Sequence, residues 1–170
     1  MPFRPFAALL LFLALTGCVL QSAVPVFSAS DGEPLLKDYG LHFASYSLDK
    51  GVWVKEADTI DFTARARHYE ATTGDSAMDV TFANIGGSWW AMQAVEKDKG
   101  AVYALIEVKG GELFVHPVAC KPLLQSAKFG DFIAFKNDDC FVKDGIDAMA
   151  MFRALAADPG ISDMKLVPVK

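Results

Sequence analysis

Three histidines, a pair of adjacent aspartates, a Gly-Gly-Ser segment and two neighbouring tryptophans are the residues of this chain whose types could do chemistry. His42, His68 and His116 are too scattered for zinc-ligand spacing, and no metal site is expected. Asp138 and Asp139 are adjacent, so on a strand their carboxylates point to opposite faces and cannot pair as acid and base; they read as a solvated turn. Gly86-Gly87-Ser88-Trp89-Trp90 carries a glycine two before the serine but a tryptophan two after, which fails the nucleophile-elbow pattern. A dinucleotide fingerprint, a phosphate-binding loop and a His-Glu-x-x-His pair are all missing from the sequence. Catalysis is not expected, and no cofactor is implied.

The chemistry that remains is binding. Trp89 and Trp90 are neighbours, so on one strand they face opposite ways. Either one packs in the core and the other under a helix, or one is exposed near Gly86-Gly87 and meets a partner or a glycan. Arg65, Arg67 and Tyr69 share one face of an alternating stretch, with Lys97 and Lys99 in a later turn. They could meet an anionic ligand, or form a solvated face with Arg67 paired to Asp79. The formal net charge of −5 and the lack of a Lys/Arg cluster argue against nucleic acid, whose phosphates require a basic footprint.

The N-terminus carries the most specific signal. Arg4 precedes ten apolar residues, Phe6 to Leu15, a run that as a helix covers about 15 Å, half the hydrocarbon core of a bilayer. A basic start, a short apolar run and small residues after it read as an export signal. Leu15-Thr16-Gly17-Cys18 then resembles the lipobox of bacterial lipoprotein precursors at all four positions. The resemblance implies cleavage before Cys18, a thioether-linked diacylglycerol on its sulfur and an acyl chain such as palmitate on its amine. Val19 in place of an aspartate implies an outer-membrane rather than an inner-membrane destination in a Gram-negative cell. The Met151–Ala157 run is also similar to one in small proteobacterial lipoproteins. Lysozyme-inhibitor lipoproteins of the periplasm share a similar plan of anchor, β-barrel and disulfide, although their inhibitory motif finds no match here. With Cys18 taken by lipid and the chain exported, Cys120 and Cys140 are left as a disulfide, which would remove Cys120 as a nucleophile beside His116.

These residues need elements to position them. The hydrophobic fraction of 52% is inflated by the signal, and the mature chain is an ordinary single-domain length. The organisation read from the sequence is residues 1–17 as signal peptide, 18–34 as lipidated cysteine and tether, and 35–170 as one β-rich domain. Within 18–34, serines, prolines and Gly32 favour a free tether, whereas Val24, Val26 and Phe27 could dock on the domain. From Leu35 onward, turns at Asp49-Lys50-Gly51, Thr72–Asp75, Ile85–Ser88, Lys97–Gly100, Gly110-Gly111 and Lys136–Asp139 separate alternating runs, with Phe62–Glu70 expected as one strand. The fold class is mainly β with one C-terminal helix (α+β): an antiparallel meander of about eight strands, as a curled sheet or a small up-and-down barrel. The helix is expected near 145–157, capped by Asp144, with Ile146, Met149, Phe152 and Leu155 on one face. Pro168 places Lys165–Val169 on a sheet edge. The functional expectation is a non-catalytic, membrane-anchored envelope protein facing the periplasm and binding a protein partner. A barrel holding a small apolar ligand, and an envelope hydrolase, are the alternatives.

Overall fold

The computed structural model describes residues 19–95 and 100–169; Cys18, the residues before it expected as a signal peptide, Lys97 and Lys99 lie outside them. A short strand, β1 (Gln21–Ser22), and two 3-10 turns precede the main sheet. Then come β2 (His42–Asp49), β3 (Val52–Arg65), β4 (His68–Thr73), β5 (Ser76–Gly86), β6 (Trp89–Val95), β7 (Ala101–Lys109) and β8 (Glu112–Pro117). Helix α1 (Cys120–Leu124), the hairpin β9 (Ile133–Lys136) and β10 (Asp139–Val142), helix α2 (Ala148–Ala156) and β11 (Met164–Pro168) complete the chain. β2 to β8 run up and down in sequence order, β6 pairs with β7, and β11 lies between β8 and β2. The result is a closed eight-stranded antiparallel barrel.

Three expectations for the strands and the C-terminal helix change. β11 is not an edge: it pairs with both β2 and β8 and closes the wall. Pro168 is compatible with this because β8 pairs only with Met164 to Leu166, so the proline sits beyond the end of that ladder. Phe62–Glu70 is not one strand, because Ala66 takes a positive φ of 46° and the chain reverses at Ala66-Arg67. The helix begins later than expected. Gly145 has a φ of 69°, and the cap is Asp147, whose Oδ1 accepts from Ala150 N at 2.9 Å.

The pleat sorts the side chains into two cores. Phe43, Phe62, Tyr69, Val80, Phe82, Met92, Ile106 and Leu113 fill the barrel interior, and Leu35 and Leu36 pack into the same cluster. Tyr69 accepts from Leu36 N at 3.2 Å, which fixes that turn against the barrel. On β5, β6 and β7 the outward residues Ile85, Ala91, Tyr103 and Leu105 are buried as well. They lie under a second layer made of the N-terminal segment, α1, the β9–β10 hairpin and α2. This explains why Ala101–Ile106 reads as an unbroken apolar run: both faces of that stretch are covered.

Residues 19–34, read above as a tether, belong to this second layer. Leu20 is fully buried and Phe27 nearly so. Val19 bridges Ala119, Leu20 N donates to Val118 O at 2.8 Å, and Tyr103 N donates to Leu20 O at 3.1 Å. Gln93, itself buried, holds Phe27 at both ends: its Oε1 accepts from Phe27 N at 2.9 Å and its Nε2 donates to Phe27 O at 2.8 Å. Tyr103 Oη shares a 2.5 Å hydrogen bond with Ser22 Oγ and accepts from Val26 N at 3.2 Å. Two glycines allow the approach. A Cβ on Gly32 would sit 1.9 Å from Arg67 O, and one on Gly100 would sit 2.5 Å from Ser22 O. The polar composition of 19–34 suggested a solvated leash; its hydrogen bonds go to the barrel wall instead.

Candidate functional site

The sequence-predicted binding residues do not form one surface. Arg65 ends β3 and its Nη2 donates to Glu70 Oε2 at 3.3 Å, whereas Arg67 lies in the turn and its Nη1 donates to Ser30 O at 2.8 Å. Tyr69 is on β4 with its ring inside the barrel, edge-on to Phe62 and Phe82. Burial pushes its phenol pKa up, with the bond to Leu36 acting the other way. The cause is the reversal at Ala66-Arg67, which breaks the alternation that had aligned the three. Arg67 has no ion pair with Asp79; Asp79 lies opposite Glu70 across the β4–β5 ladder. Trp89 and Trp90 do face opposite ways. Trp90 packs with the barrel interior and Trp89 with the outer core, its ring 5.1 Å from that of His116. Cys120 and Cys140 are joined, tying α1 to β10.

A cleft opens in the second layer. Its floor is the outer wall at Leu105 and Pro117, and its sides are Ala119, Leu123, Leu155 and Ile161. Its volume is about 220 Å³. Asp158 and Asp163 supply carboxylates to an otherwise apolar lining. Burial raises the Asp163 pKa, opposed by its own backbone N–H and by His116.

His116, on β8, lies close to this cleft without lining it. Its Nδ1 is 3.3 Å from Gly160 O, so that nitrogen carries the proton. Nε2 is buried without a hydrogen-bond partner and stands 3.8 Å from Glu107 Oε2. Burial depresses the His116 pKa, and the Gly160 bond, Glu107 and Asp163 oppose it. Ser162, His116 and Asp163 are residue types of a hydrolytic triad, and their proximity is invisible in the sequence. The geometry does not assemble one: Ser162 Oγ lies 2.9 Å from both Val115 O and Met164 O, a backbone role, and makes no bond to His116.

A second feature escaped the sequence reading. On the outer face of β2, β3, β8 and β11, Lys165 Nζ lies 5.4 Å from the ring centres of Tyr46 and Trp53 and 5.9 Å from that of Phe114. Trp53 and Phe114 meet edge to face at 5.9 Å, and Lys165 also pairs with Glu112 at 2.9 Å. All four aromatic and lysine side chains are partly exposed. The alternation of β2, β3, β8 and β11 carried the signal, but only with the barrel order known could it be joined.

The remaining histidines lie apart. His42 Nδ1 contacts Asp61 Oδ1 on the exposed β2–β3 surface, and His68 sits at the β3–β4 turn with Nδ1 buried and unpartnered. No protein-family model, curated protein or solved structure matches this chain.

Proposed function

We propose that the protein is a non-catalytic envelope lipoprotein, lipid-anchored through Cys18, with its barrel in the periplasm at the outer membrane, acting as an accessory module that binds a protein partner. The observation that carries this reading is the packing of the two residues that follow Cys18 in the chain. Val19 already bridges Ala119 and Leu20 is fully buried, so the lipobox cysteine directly abuts folded structure. A lipid there holds the barrel against the bilayer without a spacer, and two or more acyl chains suffice for stable anchoring.

The partner surface in this reading is the Tyr46–Trp53–Phe114–Lys165 face. Aromatic side chains with a cation among them carry much interface energy at small ordering cost. A ligand carried inside the barrel fits less well, because eight large apolar and aromatic side chains of the interior cluster already interdigitate there.

Radioactive palmitate should label the wild-type protein and not Cys18→Ser; label persisting in the variant would overturn the anchor. Crosslinking in intact cells should recover one reproducible envelope protein, and Trp53→Ala should abolish its recovery while leaving the thermal unfolding transition in place. Recovery unaffected by Trp53→Ala would overturn the proposed face.

A further inference from the structure

We infer that the cleft between α1, the end of α2 and the 158–163 segment is a seat for one acyl chain of the Cys18 lipid. The inference rests on the anchor reading and adds to it where part of that anchor lies.

Val19, the residue after Cys18, lies at the rim of this cleft. Val19 bridges Ala119, which lines it, and Leu20 N is bonded to Val118 O in the same lining. Covalent geometry keeps the Cα of Cys18 about 3.8 Å from that of Val19, so a lipid on its sulfur or amine starts beside the opening. Attachment at Cys18 gives such a chain a high effective concentration at the cleft.

The lining matches a hydrocarbon. Leu105, Val118, Leu123, Leu155 and Ile161 are among its lining, and Ile161 is left 81% exposed at the rim. The volume of about 220 Å³ exceeds the roughly 150 Å³ apolar cavity that accommodates a benzene, enough for a short run of methylenes. The exchange is also balanced correctly. A methylene run moving from the bilayer into the cleft stays in an apolar medium, whereas the lining and the Ile161 side chain leave water. Asp163, half-sunk in this wall with its proton affinity raised by burial, is the kind of carboxyl that tolerates an apolar neighbour.

The test uses cells fed a palmitate analogue bearing a mid-chain diazirine and a terminal alkyne. Their membranes are irradiated, and the purified full-length mature protein is reduced and digested with trypsin. Crosslinks are expected within residues 100–109, 110–128 and 154–165. Ile161→Asp, at an exposed position, should reduce them roughly tenfold, because an ionised carboxylate at the rim resists desolvation. The unfolding temperature of this variant should match wild type. Incorporated analogue that crosslinks only to bilayer lipid, to other parts of the barrel, to a second copy or to another protein overturns the seat and leaves the anchor standing. Absence of analogue from the wild-type protein overturns the anchor itself, and the seat with it.

Discussion

Replacing Gln93 by leucine removes the two hydrogen bonds that hold the N-terminal segment to the outer wall of β6, and the consequence is calculable. Phe27 is 4% exposed, so both its N–H and its C=O lose their partner without gaining water. A buried unsatisfied group costs about 1–3 kcal/mol, so the pair costs ~4 kcal/mol. Leucine returns about 1 kcal/mol of apolar burial, leaving a net loss of ~3 kcal/mol. At 1.4 kcal/mol per factor of ten, opening of residues 19–27 becomes about 100-fold more populated. Hydrogen exchange followed by mass spectrometry reads this directly. The amides of Leu20, Phe27 and Tyr103 should lose protection, while those between β2 and β3, across the barrel from β6 and β7, should not. Unchanged exchange at Leu20 and Phe27, or a loss spread evenly over every strand, would refute the reasoning. The first result would mean the segment is not held by Gln93, and the second that Gln93 supports the barrel and not the segment.

Further outcomes follow from the same structure. Cys120→Ala with Cys140→Ala should lower stability in denaturant titration by about 3 kcal/mol, from opening a loop of sequence separation 20, with the loss confined to the second layer. Gly32→Ala should destabilise by about 2 kcal/mol or more in thermal melts, because its Cβ meets the backbone carbonyl of Arg67 and not a flexible side chain. His116 is held below its ordinary value of 6.5 by burial, so the unfolded chain binds its proton first. Its contribution to stability is complete above about pH 6.5 and is lost as pH falls through the lower folded value, and His116→Gln should flatten that slope. Asp163 has the opposite sign. Its folded pKa lies above 3.8, so the burial penalty is absent below 3.8 and fully present above the raised value; Asp163→Asn should therefore stabilise the fold at neutral pH in the same melts.

What the sequence by itself determined was local. Alternation in Met78–Phe82 correctly aimed Met78, Val80 and Phe82 at one core, and Lys50-Gly51 and Gly110-Gly111, all with positive φ, turn tight hairpins where glycine announced them. The β-rich class with a C-terminal helix, the pairing of Cys120 with Cys140 and the opposite facing of Trp89 and Trp90 were legible for the same reason: each depends on neighbours along the chain or on elimination among few residues. Tertiary structure decided everything that depends on distant partners. β11 closes the barrel because two free ladders, on β2 and β8, await it, and no property of Met164–Pro168 alone distinguishes an edge from a closing strand. The 19–34 segment docks because Gln93, Tyr103 and the space above Gly32 and Gly100 meet its backbone polar groups, partners far along the chain. The apolar cleft and the aromatic face on Lys165 arise only when strands remote in sequence become neighbours in the wall. Hydrogen bonding and burial are satisfied in space, and for a closed barrel most of that space is set by residues far along the chain.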